Sequence, residues 1–440
     1  MSGAVFKITG QVMNYDWGKL GHHSIVAQYA HRDRQQTIDN DRPYAEYWMG
    51  THSTAPSHVV SHHAAAGAPP AAESLRSRLT RANLGDAVHA KYAGDLPFLF
   101  KVLSIRKALS IQAHPDRALA QKLHRERPNV YKDPNHKPEM AVAVTEFEGF
   151  MGFRPVAEIV AFLTSHAPFA AAVGVSAAAA FRRAVAEAHG DPSQIKPALR
   201  ALFTALMVAP EDRVQACVRD LMALASTRLA SSATHEPAAA SSDASPEAAV
   251  DALVIRLNSQ FPGDVGVFCS FLLNLVRLGP GEAVFLAANE PHAYLSGDIV
   301  ECMAASDNVV RSGLTPKYKD VDTLTSMLTY NYGSAESNKT QGVPWKQTRF
   351  SVLYDPPIEE FSVVLTRMPA GAEDETHPGI DGPSVLVVAA GCGSLTWDEG
   401  AQQAPLHPGA VFYVGAGDAV TLKNTDKTDL VIYRALCVVE

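Results

Sequence analysis

The chain has 440 residues, a formal net charge of −8 and a pI near 6.1, which leaves room for more than one buried core and excludes the basic surface of a nucleic-acid binder. The longest apolar run, near VGVFCSFLLNLV, falls short of the ~20 residues a membrane-spanning helix needs, and MSGAVFKITGQ shows neither a charged leader nor an apolar signal core. Five scattered cysteines without a CxxC pair suit a reducing compartment, so a cytoplasmic protein acting on a small molecule is expected, with no nucleic acid and no membrane as partner.

In chain order, VFKITGQVMNYDWGK alternates and then turns at Asn14 and Gly18, the pattern of a strand entering a loop that carries Tyr15 and Trp17. A second aromatic stretch, RPYAEYWMGTHSTAPS, brings Glu46, Trp48 and His52 close together. VVSHHAAAGAPPAAESLRSRLT reads as a Pro-containing loop leading to a short helix capped by Glu73-Ser74. The runs PFLFKVLSI and SIQAHPD then read as strands. Residues two apart on a strand share a face, so Gln112, His114 and Asp116 are expected side by side. NHKPEM opens a further run from Met140 to Phe147, and antiparallel pairing predicts Glu139 opposite His114. A carboxylate beside an imidazole on sheet scaffolding is the start of a metal site.

The character changes at Val156. Apolar residues three and four apart in Ala-rich text predict several amphipathic helices over 154–265. They are interrupted by a Ser/Ala/Pro tract over about 229–248 that has too little apolar content to bury. Deleting Ser232 to Ser245 is therefore expected to leave fold and activity essentially intact; a soluble deletion variant without activity would overturn the reading of a passive loop. Short strands with Pro-Gly and Gly-Asp turns resume at Val276, and EEFSVVLTRMPAG, PSVLVVAAGCGSLTWD and HPGAVFYVGAGDAVTLKN repeat the pattern.

The expected fold class is mainly β with an α insert: jelly-roll barrels of the cupin kind plus a helical domain. A discontinuous catalytic barrel is expected over 1–153 and 266–345, the helical insert over 154–265, and a second jelly roll over 346–440. The second barrel is read as lacking a His and Glu comb and as a structural repeat without metal.

ANEPHAYLSGDIVECMAASDNVVRSGLTPKYKD brings His292, Tyr294, Asp298, Glu301, Asp307, Asn308, Arg311 and Lys317 into about one hairpin. With Gln112, His114 and Glu139, His292 completes four N/O ligands, a set suited to zinc, one per chain. Asn289 and Glu290 are candidate partners orienting the ring. Arg311 and Lys317 suit an anionic substrate such as a sugar phosphate. Two His and one Glu also describe a non-haem iron site, and a barrel that merely binds sugar phosphate would look similar, so the residues alone leave three classes open.

QAHPD at 112–116, NHKPEM at 135–140, the long stretch from 288 to 317 and YAEYWMGTH at 44–52 resemble the type I mannose-6-phosphate isomerase family over nearly the whole chain. Tyr47 and Ser53 depart from the Leu and Pro of that family's AELWMGxHP. The resemblance implies interconversion of D-mannose 6-phosphate and D-fructose 6-phosphate through a cis-enediol, serving carbohydrate metabolism and GDP-mannose biosynthesis. It implies zinc at Gln112, His114, Glu139 and His292, a catalytic Arg311, and proton transfer by Lys137 and His136. Lys101, Ser110, Glu301, Asp307 and Lys317 fall on pocket positions, Trp17 is grouped with the substrate-binding residues, and Asp307 with the catalytic ones. The general base stays open among His136, Lys137, Asp307 and Glu301. A monomer, or a weak dimer, is expected.

Overall fold

The computed structural model describes residues 4–60, 73–233 and 246–439. The strands that build the first barrel are β1 (Glu46–Met49), β2 (Phe98–Ile105), β3 (Ile111–Ala113), β4 (Glu139–Ala143), β5 (Phe147–Phe153), β6 (Leu273–Leu278), β7 (Ala283–Leu286), β8 (His292–Ala304) and β9 (Val310–Gly313). β8 is their spine. Its second half pairs antiparallel with β2 and β4, its first half with β5 and β3, and β9 adds to β3.

The change of partner falls at Gly297, whose φ is +112° and which follows a register shift between Tyr294 and Ser296. A Cβ at this position would lie 2.5 Å from the Glu146 carbonyl oxygen and 2.7 Å from Phe147 Cα, so only glycine allows the approach. Gly297→Ala is expected to cost about 3 kcal/mol or more, because steric and torsional strain act together. An unchanged denaturant midpoint for that variant would show that the crossing tolerates a side chain.

Alternate residues of β2 face opposite ways. Phe100 and Val102, with Met140, Val142 and Val300, share a core with Val363, Val385 and Tyr433 of the C-terminal sheet, whereas Leu103, Ile105, Ala141 and Ile299 join Phe147, Val276 and Tyr294 within the barrel. Two buried faces explain why β2 reads as a nearly unbroken apolar run, each such side chain contributing on the order of 2 kcal/mol. Lys101 and Ser104 are the exceptions: Lys101 faces the site, and Ser104 Oγ donates to Asp298.

Helices Val156–Ser165, Ala167–Val173, Val175–Glu187, Pro192–Met207, Glu211–Ala233 and Pro246–Gln260 follow the expected helical periodicity. They close around Ile159, Phe162, Phe169, Leu202 and Leu257, and pack on Phe150, Phe153 and Leu273 of the barrel. The Ser/Ala/Pro tract is shorter than its composition implies. The preceding helix continues to Ala233 and the next begins at Pro246, because Ala, Leu and Arg favour helix and proline suits a first helical position. The remainder, 234–245, lies outside the described residues.

The C-terminal sheet runs in the order Val5–Ile8, Val411–Val414, Ser384–Ala390, Leu430–Leu436, Ser362–Met368, Ser351–Tyr354 and Val343–Pro344. A four-stranded sheet packs on it over Met368, Leu386, Leu395, Phe412 and Leu422. One expectation is corrected here. This unit does carry a His and Glu comb: Glu375 and His377 share a buried face, with His377 contacted by Ser351 Oγ at 3.1 Å, Thr366 Oγ1 at 3.2 Å and Arg434 Nη1 at 3.3 Å. Neighbouring hydroxyls and a guanidinium engage these groups. Among the described residues, no single helix is long and apolar enough to cross a membrane.

Candidate active site

His114, Glu139 and His292 each offer a ligand atom within 4.8 Å of the others. His114 Nε2 lies 3.4 Å from Glu139 Oε1, and His292 Nε2 lies 3.4 Å from Glu139 Oε2. His114 Nδ1 donates to the Asn308 carbonyl at 2.7 Å and His292 Nδ1 to the Glu290 carbonyl at 3.0 Å. A carbonyl only accepts, so each ring carries its proton on Nδ1 and aims the Nε2 lone pair inward. Those two Nε2 atoms and Glu139 Oε2 are buried without a hydrogen-bond partner among the described residues. Orphaned acceptors converging in this way are costly unless a cation meets them, and this donor set suits one.

Sheet register explains how Gln112 and a cation join them. On β3, Gln112 is directly opposite His292 of β8 and Arg311 of β9, and directly opposed residues share a face. His292, Gln112 and Arg311 thus form a row across three strands. Ser110 Oγ donates to Gln112 Oε1 at 3.4 Å.

Two expected geometries do not occur. Glu139 is opposite Leu286 and Met303, not His114, because β4 lies between β7 and β8. Glu139 and His114 meet across the barrel interior instead. Asp116 also leaves the comb. Pro115 ends the strand, and Asp116 caps the helix Arg117–Glu126, accepting from the Leu119 N–H and from Asn289 Nδ2, each at 2.9 Å. Asn289, at φ +63°, also donates its N–H to the His114 carbonyl at 2.8 Å. It ties the β3 exit to the start of β8, the two segments that carry the imidazoles.

A cavity of about 450 Å³ opens beside this cluster. Of the residues expected at the site, Trp17, Lys101, Ser110, Gln112, Lys137, Glu139, Glu301, Arg311 and Lys317 line it. His114 and His292 lie behind this wall, each 1% exposed. His136 and Asp307 are not among the lining residues. His136 Nε2 is 2.7 Å from Glu360 Oε1 and also meets Arg117, while Asp307 is exposed and sits 3.6 Å from His52. Glu46, Lys107, Tyr294 and Phe261 line the cavity without having been assigned a role there. Glu46 lies two residues before Trp48 on β1, on the face that meets Lys101, a placement that only the sheet register shows.

The electrostatics follow from burial and neighbours. Burial alone would raise the Glu139 carboxyl, but the Lys137 ammonium, with Nζ at 3.1 Å, opposes it, and the carboxyl is held well below the carboxylate range. Burial pushes His114 down to about 4 against the pull of Glu139, which keeps the ring neutral. Lys101 lies 2.9 Å from Glu301 and 4.0 Å from Glu46; burial would lower its ammonium, but the two carboxylates outweigh it and raise it. Glu46 is raised by burial, opposed by Lys101. Arg311 is lowered by burial alone, with no charged partner among the described residues.

Comparison with known proteins places the chain in a family. Residues 5–156 match the catalytic domain of type I phosphomannose isomerase, residues 172–273 its helical insertion domain and residues 351–399 its C-terminal domain. The mannose-6-phosphate isomerase of Schizosaccharomyces pombe is 45% identical, with 98% of this chain and 100% of that protein covered. That of Bos taurus is 39% identical, with 98% of both covered. A mutant phosphomannose isomerase of Salmonella typhimurium has a solved structure that superposes with a TM-score of 0.77 at 28% identity, covering 99% of this chain and 100% of that one. A zinc-bound mannose 6-phosphate isomerase superposes with a TM-score of 0.75 at 29% identity, over 99% of this chain and 100% of its own. The chain belongs to the type I phosphomannose isomerase family.

Proposed function

We propose that this chain holds one zinc at Gln112, His114, Glu139 and His292 and interconverts D-mannose 6-phosphate and D-fructose 6-phosphate through a cis-enediol. The observation that carries the reading is the convergence of three buried ligand atoms, without hydrogen-bond partners among the described residues, at the wall of a cavity that also presents Arg311 and Lys137. Zinc bound there supplies a Lewis acid for the carbonyl and the charge of the enediolate. The row His292, Gln112, Arg311 sets the guanidinium next to the ligands, where its planar fork stabilises the reacting oxygens. Ser110 and Lys317, with Lys107, line the same cavity and suit the phosphate.

The reaction moves a proton between C2 and C1 and oxidises nothing overall, so the chain needs a group to take that proton and return it. Of His136, Lys137, Asp307 and Glu301, Lys137 and Glu301 reach the cavity, which supports assigning the transfer to one of these two. His136 and Asp307 then serve as supports of the wall, through Glu360 and His52. We take the protein to act as a cytoplasmic monomer, and its five free cysteines suit a reducing compartment.

The deciding experiment is a coupled isomerase assay on chelated and zinc-restored protein. Activity should vanish on chelation and return with zinc. Full activity in metal-free protein would sink the reading.

A further inference from the structure

The cavity wall carries a second built arrangement. On β1, β2 and β8, direct cross-strand pairing sets Trp48 beside Lys101 and Lys101 beside Glu301, with Glu46 two residues before Trp48 on the same face. Trp48 Nε1 donates to Glu46 Oε2, and the Lys101 ammonium lies 5.1 Å from the Trp48 ring. Glu46 is 7% exposed, yet it lines the cavity, and among the described residues no group donates to its Oε1. Tyr15 and Trp17, stacked with ring centroids 5.9 Å apart, line the cavity too, and the Tyr15 hydroxyl feels the Glu46 charge.

We propose that Glu46 is a specificity-determining residue: fixed by Trp48, it accepts hydrogens from sugar hydroxyls other than the reacting C1 and C2 oxygens, beside the Tyr15 and Trp17 rings. The proposal rests on the isomerase reading above. An ionised carboxylate is an acceptor only, and its bonds to hydroxyls are charge-assisted. Lys101 is already held between two carboxylates, so this end of the cavity disfavours a phosphate, while the exposed Lys317 favours one elsewhere on the wall. A carboxylate acceptor next to an aromatic face is the chemistry that recognises a polyol, whose surface alternates hydroxyls with C–H edges. The competing account is that Glu46 merely balances the charge of Lys101. That account predicts no discrimination between sugar phosphate and phosphate.

The test uses zinc-loaded full-length protein, with calorimetric titration of fructose 6-phosphate and of inorganic phosphate alongside steady-state kinetics. Glu46→Gln keeps the shape and removes the charge. It should weaken fructose 6-phosphate and raise KM by ~10-fold or more, hold kcat within ~3-fold and leave inorganic phosphate binding unchanged. Trp48→Phe, which frees Glu46 without discharging it, should shift the sugar arm in the same direction by less. Equal weakening of both ligands, or an unchanged sugar arm, would overturn the proposal in favour of charge balance. Should Glu46→Gln fail to fold, Glu46→Asp keeps the charge beside Lys101 and withdraws the acceptor; loss confined to the sugar arm supports the proposal and no loss defeats it. A wild type that binds both ligands but does not isomerise refutes the reaction assignment, while the two binding arms still decide the role of Glu46.

Discussion

His114→Ala and His292→Ala are each expected to yield folded protein with almost no bound zinc and isomerase activity reduced by ~10⁴-fold or more, since a Lewis acid at the carbonyl is worth several kcal/mol and the remaining groups cannot retain the ion. The argument rests on geometry. Each imidazole is turned by a backbone carbonyl so that its Nε2 faces Glu139, and neither Nε2 has another partner among the described residues. Removing one ring leaves the Asn308 or Glu290 carbonyl without its donor, a cost of about 1–3 kcal/mol, but it also relieves an orphaned buried nitrogen. The metal-free variants should therefore melt close to metal-free wild type, while the zinc-loaded wild type melts higher through binding linkage. Mass spectrometry under native conditions supplies the count. Stoichiometric zinc in both variants would remove these histidines from the ligand set, and zinc lost together with the native fold would move the effect from ligation to stability.

The sequence showed this site unevenly, for a physical reason. Gln112 and His114 are two residues apart, and His292 follows a proline at the start of a strand, so their types and spacing are local properties. Their meeting place is not. Glu139 approaches His114 across the barrel because β8 switches partners at Gly297, and no local pattern fixes where a long strand makes that crossing. The expected pairing of Glu139 with His114 treated neighbouring strands in sequence as neighbours in the sheet; the observed register puts β8 between them. Asp116 was misplaced for the opposite reason. Its N-cap signal, an Asp before RALAQKL, was present in the sequence, but strand alternation was carried one residue past Pro115.

Glu46 shows a further limit. Its chemistry depends on Lys101, which is 55 residues further along the chain, and on Glu301, a further 200 residues on, and only cross-strand register reveals that they share a wall. The fold class was easier to read. Period-two runs, period-three-and-four runs and turn residues each specify an element without help from the rest of the chain. The pairing of Val5–Ile8 with Val411–Val414, which gives the first strand to the C-terminal sheet, depends on tertiary contacts alone.

Arg311→Lys is expected to lower kcat by ~10²-fold or more while changing KM by no more than ~3-fold. Lysine keeps the positive charge but loses the planar fork that can reach two oxygens at once. Position argues for the reacting oxygens over the phosphate. Arg311 is directly opposite Gln112, which is directly opposite His292, so the guanidinium stems from the same face as two proposed ligands. No charged side chain among the described residues neutralises it, and burial is the one influence on its acidity. A half-buried cation left without a partner is unfavourable in the free protein and becomes favourable when negative charge develops beside it, which is the condition for stabilising a transition state more than a ground state. Were Arg311 mainly a phosphate clamp, the deficit would fall on KM, and inorganic phosphate would bind the variant less well. The kinetics are to be measured at matched zinc content, so that a lost ion is not mistaken for a lost fork. A normal kcat with a large rise in KM would move Arg311 from the chemistry to the grip on phosphate, and would leave Lys137 as the cation nearest to Glu139.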